Sequence, residues 1–402
     1  MKYECIIIGG GASGLMAASA LKLNKRGIIL EGTSRLGTKL LMSGGGHCNI
    51  THDGSIKEFV GAYGENGKKV RKLLYRHSNE ELINLLESEG VAVKSDEDGR
   101  VFPASMKSQD ILDVFVRRAK RNGWEIRTSA KVCSIKPGDD EIVIKLASGD
   151  ELTCSRVILA GGGITYPGTG SDGSLHEIVK RDLGIEVTSL VPALRPVEVE
   201  GYPYAELAGL SIPRVKVTVK RHGKKDASWT GDMLLAHREF TGPVMLAASR
   251  ASEAGAEILI NYTAGNDIER SERALEIIRS AMKRSGKALH TIAAEELGIP
   301  KRLASALAER AGSPEKLAKL VTEDSFKVSD AKADLRKAMV TRGGIPLDKE
   351  CGADPKTLEL AGVPGCYAIG ELLDVDGATG GYNLQFAYSS ACAAADHIGG
   401  QM

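Results

Sequence analysis

Tyr3–Glu31 reads YECIIIGGGASGLMAASALKLNKRGIILE. Tyr3 to Ile8 is a short apolar run that stops at glycine, as a buried parallel strand with both faces covered does. GGGASGLMAASALKLNK then changes to small residues at helical spacing, and RGIILE returns to strand, ending on Glu31. Strand, glycine turn, helix and strand make a βαβ unit of about 30 residues. Inside it Gly9, Gly11 and Gly14 stand in G-x-G-x-x-G order. In a chain with 47 glycines that pattern alone is weak, and an ordinary glycine-rich turn is the alternative. Its context gives it a mechanism. Gly9 makes the turn, Gly11 lets the backbone approach a pyrophosphate, and Gly14 lets the helix pack closely. The helix start, Ala12 and Ser13, meets the phosphate charge. Glu31 accepts from ribose hydroxyls and repels a 2′-phosphate.

A second match, GTGSDG at Gly168–Gly173, lies in a loop after TYP, with no acidic strand end beyond it, and is not read as a nicotinamide site. One dinucleotide turn near the start and GELLDVDG near the end of the chain point to FAD rather than NAD. FAD is long enough to need both ends. Its pyrimidine edge suits a helix N-terminus, where negative charge builds on reduction.

At 402 residues the chain is long for one core, so two or three domains are expected. The net charge of +1 provides no global field for nucleic acid or a membrane. The longest basic cluster, KRHGKK at Lys220–Lys225, reads as a hairpin tip. No apolar run is long enough to span a bilayer, and structure starts too early for a secretory segment. Seven scattered cysteines without C-x-x-C fit reduced thiols in a cytoplasm.

Along the chain, Lys68 to Glu89 has helical spacing, and SMKSQDILDVFVRRAKRNG is opened by serine and closed by glycine as a helix should be. EIRTSAKVCSI, EIVIKLAS and ELTCSRVILA read as strands. Past Pro192, SIPRVKVTVKR, ASWTGDMLLA and AEILINY alternate with period two, as in an antiparallel sheet or small barrel with one wet face. Asp267 to Leu320 is helical in texture. KADLRKAMVTRGG resumes strand character at Ala333, and a strand, a glycine loop and a small-residue helix close the chain.

With these pieces together, the sequence resembles the bacterial flavoproteins of the YhiN/BaiN type, which include aminoacetone oxidase and a 3-dehydro bile acid reductase. The carriers are GGGASG, GTKLLMSGGGHCNIT, GRVFPAS, RVILAGGGITYPGTGSDG, GDMLLAHREFTGP, VTRGGI and GELLDVDGATGGYNLQFAYSS, in the family's order over essentially the whole chain. The resemblance implies an α/β fold. A Rossmann-like, glutathione-reductase-like FAD domain would span 1–190 and 333–402. A β-rich, barrel-like substrate domain would span 191–266 and 321–332, and a helical subdomain 267–320. It implies that Ser43, Gly44, Gly45, Gly46, Cys48 and Asn49 lie along the flavin, with Lys39, Val132, Ala160, Gly161, Gly162 and Gly370 also on the cofactor. Glu371 and Asp374 would serve the ribitol and pyrophosphate. Gly381, Asn383, Leu384 and Gln385 would serve the pyrimidine edge. The chain departs from the family where His47 replaces the usual arginine, at Arg238 and Glu239 in AHREF, and in LELAG after DPKT.

SGGGHCN admits three readings from its residues. A metal site lacks ligands at workable spacing, since adjacent residues rarely share one ion. A redox pair lacks a second cysteine near Cys48. The remaining reading is a backbone loop around the cofactor, and no metal is expected. His47 beside a flavin would supply positive charge only in acid, which predicts a potential that falls more steeply with pH than in an arginine-bearing relative. Tyr166 and Tyr382 are candidate proton donors, each equally readable as packing. His237 and Arg238 could bind an anion or simply edge a sheet. Asp172 and Asp376 read equally well as loop caps.

The function expected is FAD-dependent hydride transfer on a small organic or steroid-like molecule, foremost NAD(P)H-dependent reduction of an activated C=C. A flavin amine oxidase is the alternative chemistry. A non-catalytic redox sensor or RNA-associated protein is the alternative class. The near-neutral charge, and a sequence without an evident basic, aromatic-lined surface, argue against RNA. Substrate, electron donor and oligomeric state stay open.

Overall fold

Strand β1 (Lys2–Ile8) sits in the middle of a mixed sheet because its side chains suit burial on both faces: Cys5, Ile6 and Ile7 are wholly out of water. It runs parallel to β2 (Gly27–Leu30) on one side and to strand Glu151–Leu159 on the other, with Ile7 opposite Ile29 and Ile158. Each such isoleucine contributes roughly 1.5–3 kcal/mol by leaving water. Strand Trp124–Arg127 extends the β2 edge in parallel. The outer edge of Glu151–Leu159 is shared. Its first half pairs antiparallel with Ile142–Leu146, and its second half pairs in parallel with Cys366–Ala368. The chain's last segment therefore rejoins the sheet formed by its first.

The computed structural model describes residues 2–139, 141–221, 224–329 and 334–401. Helix α1 (Ala12–Ala20) connects β1 to β2 and packs against the final helix, Tyr382–Gly399. Both helices are rich in alanine. Seven of the nine α1 residues are buried, so this helix is a core element without an amphipathic stripe.

Three stretches divide more finely than the sequence suggests. Lys68–Glu89 is two helices, Gly67–Arg76 and Asn79–Ser88, because Ser78 stops the first and caps the second by accepting from the Glu81 N–H at 3.2 Å. EIRTSAKVCSI is two strands, Trp124–Arg127 and Val132–Pro137, separated by a turn in which Ser129 takes φ of 52°. In KADLRKAMVTRGG only Val340–Arg342 is strand, and residues 335–337 form a turn stabilised by the Asp334 carboxylate on the Arg336 N–H; Lys332 and Ala333 lie outside the described residues.

Two compact units are present, Met1–Pro192 with Met339–Met402, and Ala193–Ala338. The second contains a six-stranded antiparallel sheet in the order Val197–Glu198, Glu239–Thr241, Lys224–Leu235, Ser211–Arg221, Glu257–Asn261, Asp324–Lys327. Helices between Ser271 and Thr322 share its core, with Ile278, Leu303 and Leu317 in one cluster with Val217 and Ile258. Arg221 faces Lys224 across the hairpin expected at KRHGKK; His222 and Gly223 lie outside the described residues. Buried Asp324 in this unit is met by Arg310 at 2.9 and 3.0 Å and by the Tyr204 and Tyr262 hydroxyls, which satisfies its charge internally.

Candidate FAD site

The first turn is built from backbone that tolerates no side chain on its inner side. Gly9 has φ of 109°, and a Cβ there would lie 2.3 Å from the Ala160 carbonyl oxygen. A Cβ on Gly14 would lie 2.0 Å from the Gly9 oxygen. At Gly11 the same atom would meet nothing within 4 Å. Gly11 precedes α1 with no side-chain cap, and no acidic residue stands in the helix's first turn. This is a cradle shaped for an anion, open at the one glycine where the pattern requires open space.

Glu31 stands at the end of β2 and is 8% exposed. Its carboxylate accepts from the Gly10 N–H at 2.8 Å and from the Thr33 N–H and hydroxyl, both at 2.7 Å. Around it run Ala130, whose N–H donates to the Glu31 carbonyl, and Val132, buried at the start of its strand. Gly170 also belongs here, since its Cβ would lie 3.5 Å from a Glu31 carboxylate oxygen. The second glycine motif is thus a lid on the Glu31 corner. Asp172, in that motif, accepts from Ser174 N–H and pairs with Lys131 at 2.8 Å. Ala160 donates to the Ile8 carbonyl, and Gly161 and Gly162 pass closely over Leu175 and Ser171.

A charged knot lies between the two ends of the chain. Lys39 Nζ donates to the Thr165 hydroxyl at 2.7 Å and to Glu371 at 2.7 and 3.0 Å. Glu371 also accepts from the Thr341 N–H at 2.8 Å, while the Thr341 hydroxyl accepts from the Ile164 N–H at 2.8 Å. Gly370, at φ of 65°, leans on Ser13 and is held by the Ser390 hydroxyl at 3.0 Å. The Asp374 carboxylate accepts from Thr188 at 2.8 Å and from the Gly343 N–H at 3.0 Å. Asp376 pairs with Arg342 at 3.1 Å. His176, buried under this knot, lies 3.1 Å from the Leu372 carbonyl through Nε2, and burial lowers its pKa.

Ser43–Gly46 is a tight turn in which Gly44, Gly45 and Gly46 all have positive φ, and Cβ atoms at Gly45 and Gly46 would meet open space. The chain is a thin backbone ribbon here, as a cofactor loop requires. Cys48 takes φ of 58°, and its thiol is fully buried and pushed up to about 12 by that burial, so it is no thiolate. His47 is exposed, with Nδ1 2.8 Å from the Met106 carbonyl, so that nitrogen carries the proton. Asn49, with its amide turned to donate to the Thr51 carbonyl at 2.9 Å, accepts from the Gly381 N–H at 3.2 Å.

Gly381 caps the final helix, and a Cβ there would strike the Thr51 carbonyl at 2.3 Å. Asn383 folds the preceding loop, accepting from the Gly377 N–H at 2.8 Å. Gln385 is buried, accepting from Thr51 at 2.7 Å and donating to the His77 carbonyl at 3.1 Å. Leu384 packs against the core. Tyr382 stacks on His52 at 5.3 Å, and burial and the nearby Glu58 and Asp53 carboxylates raise its pKa. Tyr166 holds a left-handed backbone (φ 56°, ψ 57°), rare for a bulky residue, and its hydroxyl lies 3.9 Å from Met339 Sδ. His237 and Arg238 belong to the other unit.

These residues fit FAD by the open cradle at Gly11, the carboxylate at Glu31 and the ribbon at Ser43–Gly46. The chain matches the HI0933-like protein Rossmann domain over residues 3–397. It belongs to that family. Its members of the YhiN/BaiN type are FAD-dependent oxidoreductases. The chain is 29% identical over 406 residues to the ribosomal RNA dihydrouridine synthase of Escherichia coli K12, covering 99% of this chain and 98% of the other. It is 29% identical over 407 residues, 96% of each, to the 3-dehydro-bile acid delta(4,6)-reductase of Clostridium scindens. In fold it is similar to 3-ketosteroid delta1-dehydrogenase of Sterolibacterium denitrificans, with TM-score 0.52, 12% identity and full coverage of both chains.

Sequence reasoning missed Thr33, Thr165, Thr341, His176 and Ser390, which hold the acidic residues and glycine loops from distant points of the chain. No local pattern marks them. Among the described residues, His77, Glu81 and Cys392 also come together. His77 lies 3.3 Å from both Glu81 and Asp396, and burial pushes the Cys392 thiol up to about 12. Nε2 of His77 is buried and makes no hydrogen bond, its nearest carboxylate being Asp396. No described helix is long and apolar enough to cross a membrane.

Proposed function

We propose that the protein reduces a carbon–carbon double bond conjugated to a carbonyl, drawing electrons from a dissociable NAD(P)H. The observation that carries this reading is the pair of relatives at equal identity. Forming dihydrouridine from uridine and reducing a delta(4,6) 3-oxo system are the same bond change. Each adds a hydride to the β-carbon and a proton to the α-carbon of a C=C joined to C=O. FAD, when bound, supplies the hydride.

The chain's residues bind, orient and protonate. The Gly9–Gly14 turn would hold the pyrophosphate and Glu31 the adenosine ribose, with the Lys39–Glu371 knot as the candidate for the ribitol. The Ser43–Gly46 ribbon and the start of the final helix would take the isoalloxazine. Tyr166 is the favoured proton donor. Its hydroxyl meets a thioether at 3.9 Å, a weak acceptor that leaves the proton available to a substrate. Tyr382 is the second candidate.

Two substrate classes carry such a bond, a small organic or steroid-like enone and the uracil of RNA. The test is anaerobic incubation of the FAD-loaded protein with NADH or NADPH and a panel of enones, followed by loss of enone absorbance. Stoichiometric nicotinamide oxidation and alkene reduction are expected. Peroxide release from an amine in air, with no alkene reduced, would make the protein an amine oxidase instead. Inertness to enones, to a uridine-containing RNA and to amines alike would leave a flavin-binding protein without catalysis.

A further inference from the structure

Helix Gly67–Arg76, GKKVRKLLYR, buries Val70, Leu73 and Leu74 and turns every other side chain after Gly67 outward. Those exposed positions are Lys68, Lys69, Arg71, Lys72, Tyr75 and Arg76. The helical repeat puts them on one broad face, with Lys68, Lys72 and Arg76 in one row and Arg71 and Tyr75 in the next. Tyr75 is 55% exposed, and the Arg71 guanidinium lies over its ring at 5.5 Å. Arg76 pairs with Asp396 at 2.6 Å. Lys68, Lys69, Arg71 and Lys72 have no carboxylate within ion-pair distance among the described residues.

What sets this helix apart is density: Arg117 and Lys120, Lys301 and Arg302, and Lys316 and Lys319 also lack a carboxylate among the described residues, but only two to a helix, and the other helices pair part of their charge. Arg118 and Arg121 share Glu89, Arg279 meets Glu315, and Arg284 meets Glu296. Four unneutralised cations on one face, with an exposed aromatic ring among them, form a surface for a polyanion that also offers planar bases. A membrane is a poor match, because the helix's apolar side is already committed to the protein core and has nothing to insert.

The helix is also tied to the cofactor end of its unit. Asn66, just before it, donates to the Asp374 carbonyl at 2.7 Å, and the Tyr63 hydroxyl donates to the Tyr382 carbonyl at 2.8 Å. Whatever binds the helix is held beside the loop that carries Tyr382.

We propose that this helix face is an RNA-docking surface: Lys68, Lys69, Arg71 and Lys72 bind backbone phosphates, and Tyr75 stacks on an unpaired base. The inference rests on the double-bond reading above and deepens it, since it makes a uracil held in RNA the substrate.

The probe is a fluorescent, unmodified stem–loop RNA with uridines in its loop, titrated with the FAD-loaded protein at several salt concentrations. Replacing Lys68, Lys69, Arg71 and Lys72 together by glutamate should lower affinity about 10²- to 10³-fold at 0.1 M salt and flatten the log–log salt slope by about 3, at roughly 0.7 per lost phosphate contact. Tyr75→Ala should weaken binding about tenfold and leave the slope unchanged. Both variants should keep the flavin spectrum and wild-type reduction of a free enone. Equal RNA affinity in wild type and the fourfold variant, or no RNA binding at all, would overturn the surface. So would a variant defect confined to vesicles of anionic phospholipid. Variant-sensitive RNA binding in a protein that reduces neither enone nor uridine would overturn the catalytic reading and leave the surface standing.

Discussion

The Gly9–Gly14 turn and the Ser43–Gly46 ribbon look alike as sequence, both being glycine runs assigned to the cofactor. In structure they use glycine for opposite reasons. At Gly9 and Gly14 the missing Cβ makes room for the protein's own backbone, 2.3 and 2.0 Å away. At Gly45 and Gly46 the missing Cβ leaves open space, and positive φ shapes the ribbon. Gly11 lies inside the first turn yet behaves like the second group. A glycine can therefore hold the fold or admit a ligand, and what surrounds its absent Cβ tells which.

The sharpest break in this comparison is Gly14→Ala. A methyl group 2.0 Å from the Gly9 oxygen forces β1 and α1 apart, and about 3 kcal/mol or more of stability should be lost, read by denaturant unfolding of the FAD-free protein. Gly11→Ala should do the reverse. Stability without FAD should change by less than about 0.5 kcal/mol, while FAD affinity falls at least about tenfold, since the methyl occupies the approach to the backbone. If Gly11→Ala unfolds the protein and binds FAD normally, the distinction between the two kinds of glycine fails.

Lys39→Met sharpens the role of the knot beside the ribbon. It leaves the Glu371 carboxylate with only the Thr341 N–H and a long Thr165 contact of 3.4 Å, so a cost of about 1–3 kcal/mol is expected by thermal unfolding. A smaller effect concerns His176. Burial holds its pKa below the ordinary histidine value, so between the two values the unfolded chain binds a proton that the folded chain does not. Stability then rises with pH, and falls as pH drops from about 7 to 5; His176→Gln should flatten that slope, by no more than about 1.4 kcal/mol per pH unit. The smallest effect is at Cys48. Its buried thiol should escape a charged disulfide reagent that labels exposed Cys351, and Cys48→Ser should leave hydride transfer within about twofold of wild type.

What the sequence made legible follows from locality. The βαβ unit, Glu31 and the returning C-terminal strand were readable because strand, turn and helix signals lie next to one another in the chain. The partners of Glu371 were not, because Lys39, Thr165 and Thr341 come from far-apart segments with no spacing to connect them. Nor were the ties of Asp374 to Thr188 and Gly343, which also come from distant segments. The basic helix was hidden for a different reason. A net charge of +1 averages over the chain, whereas the face at Lys68–Arg76 arises only when the helical repeat gathers its cations and the core takes its leucines.

The Gly9–Glu31 cradle is expected to hold FAD for reduction of a conjugated double bond. The most direct test is an absorbance spectrum of the purified protein, followed by anaerobic NADH or NADPH and then an enone or a uridine-containing RNA. Flavin bands that bleach with the nicotinamide and return on adding the unsaturated substrate are the predicted result. A protein that takes up no FAD even on reconstitution, or whose bleached bands return only with oxygen, would contradict it.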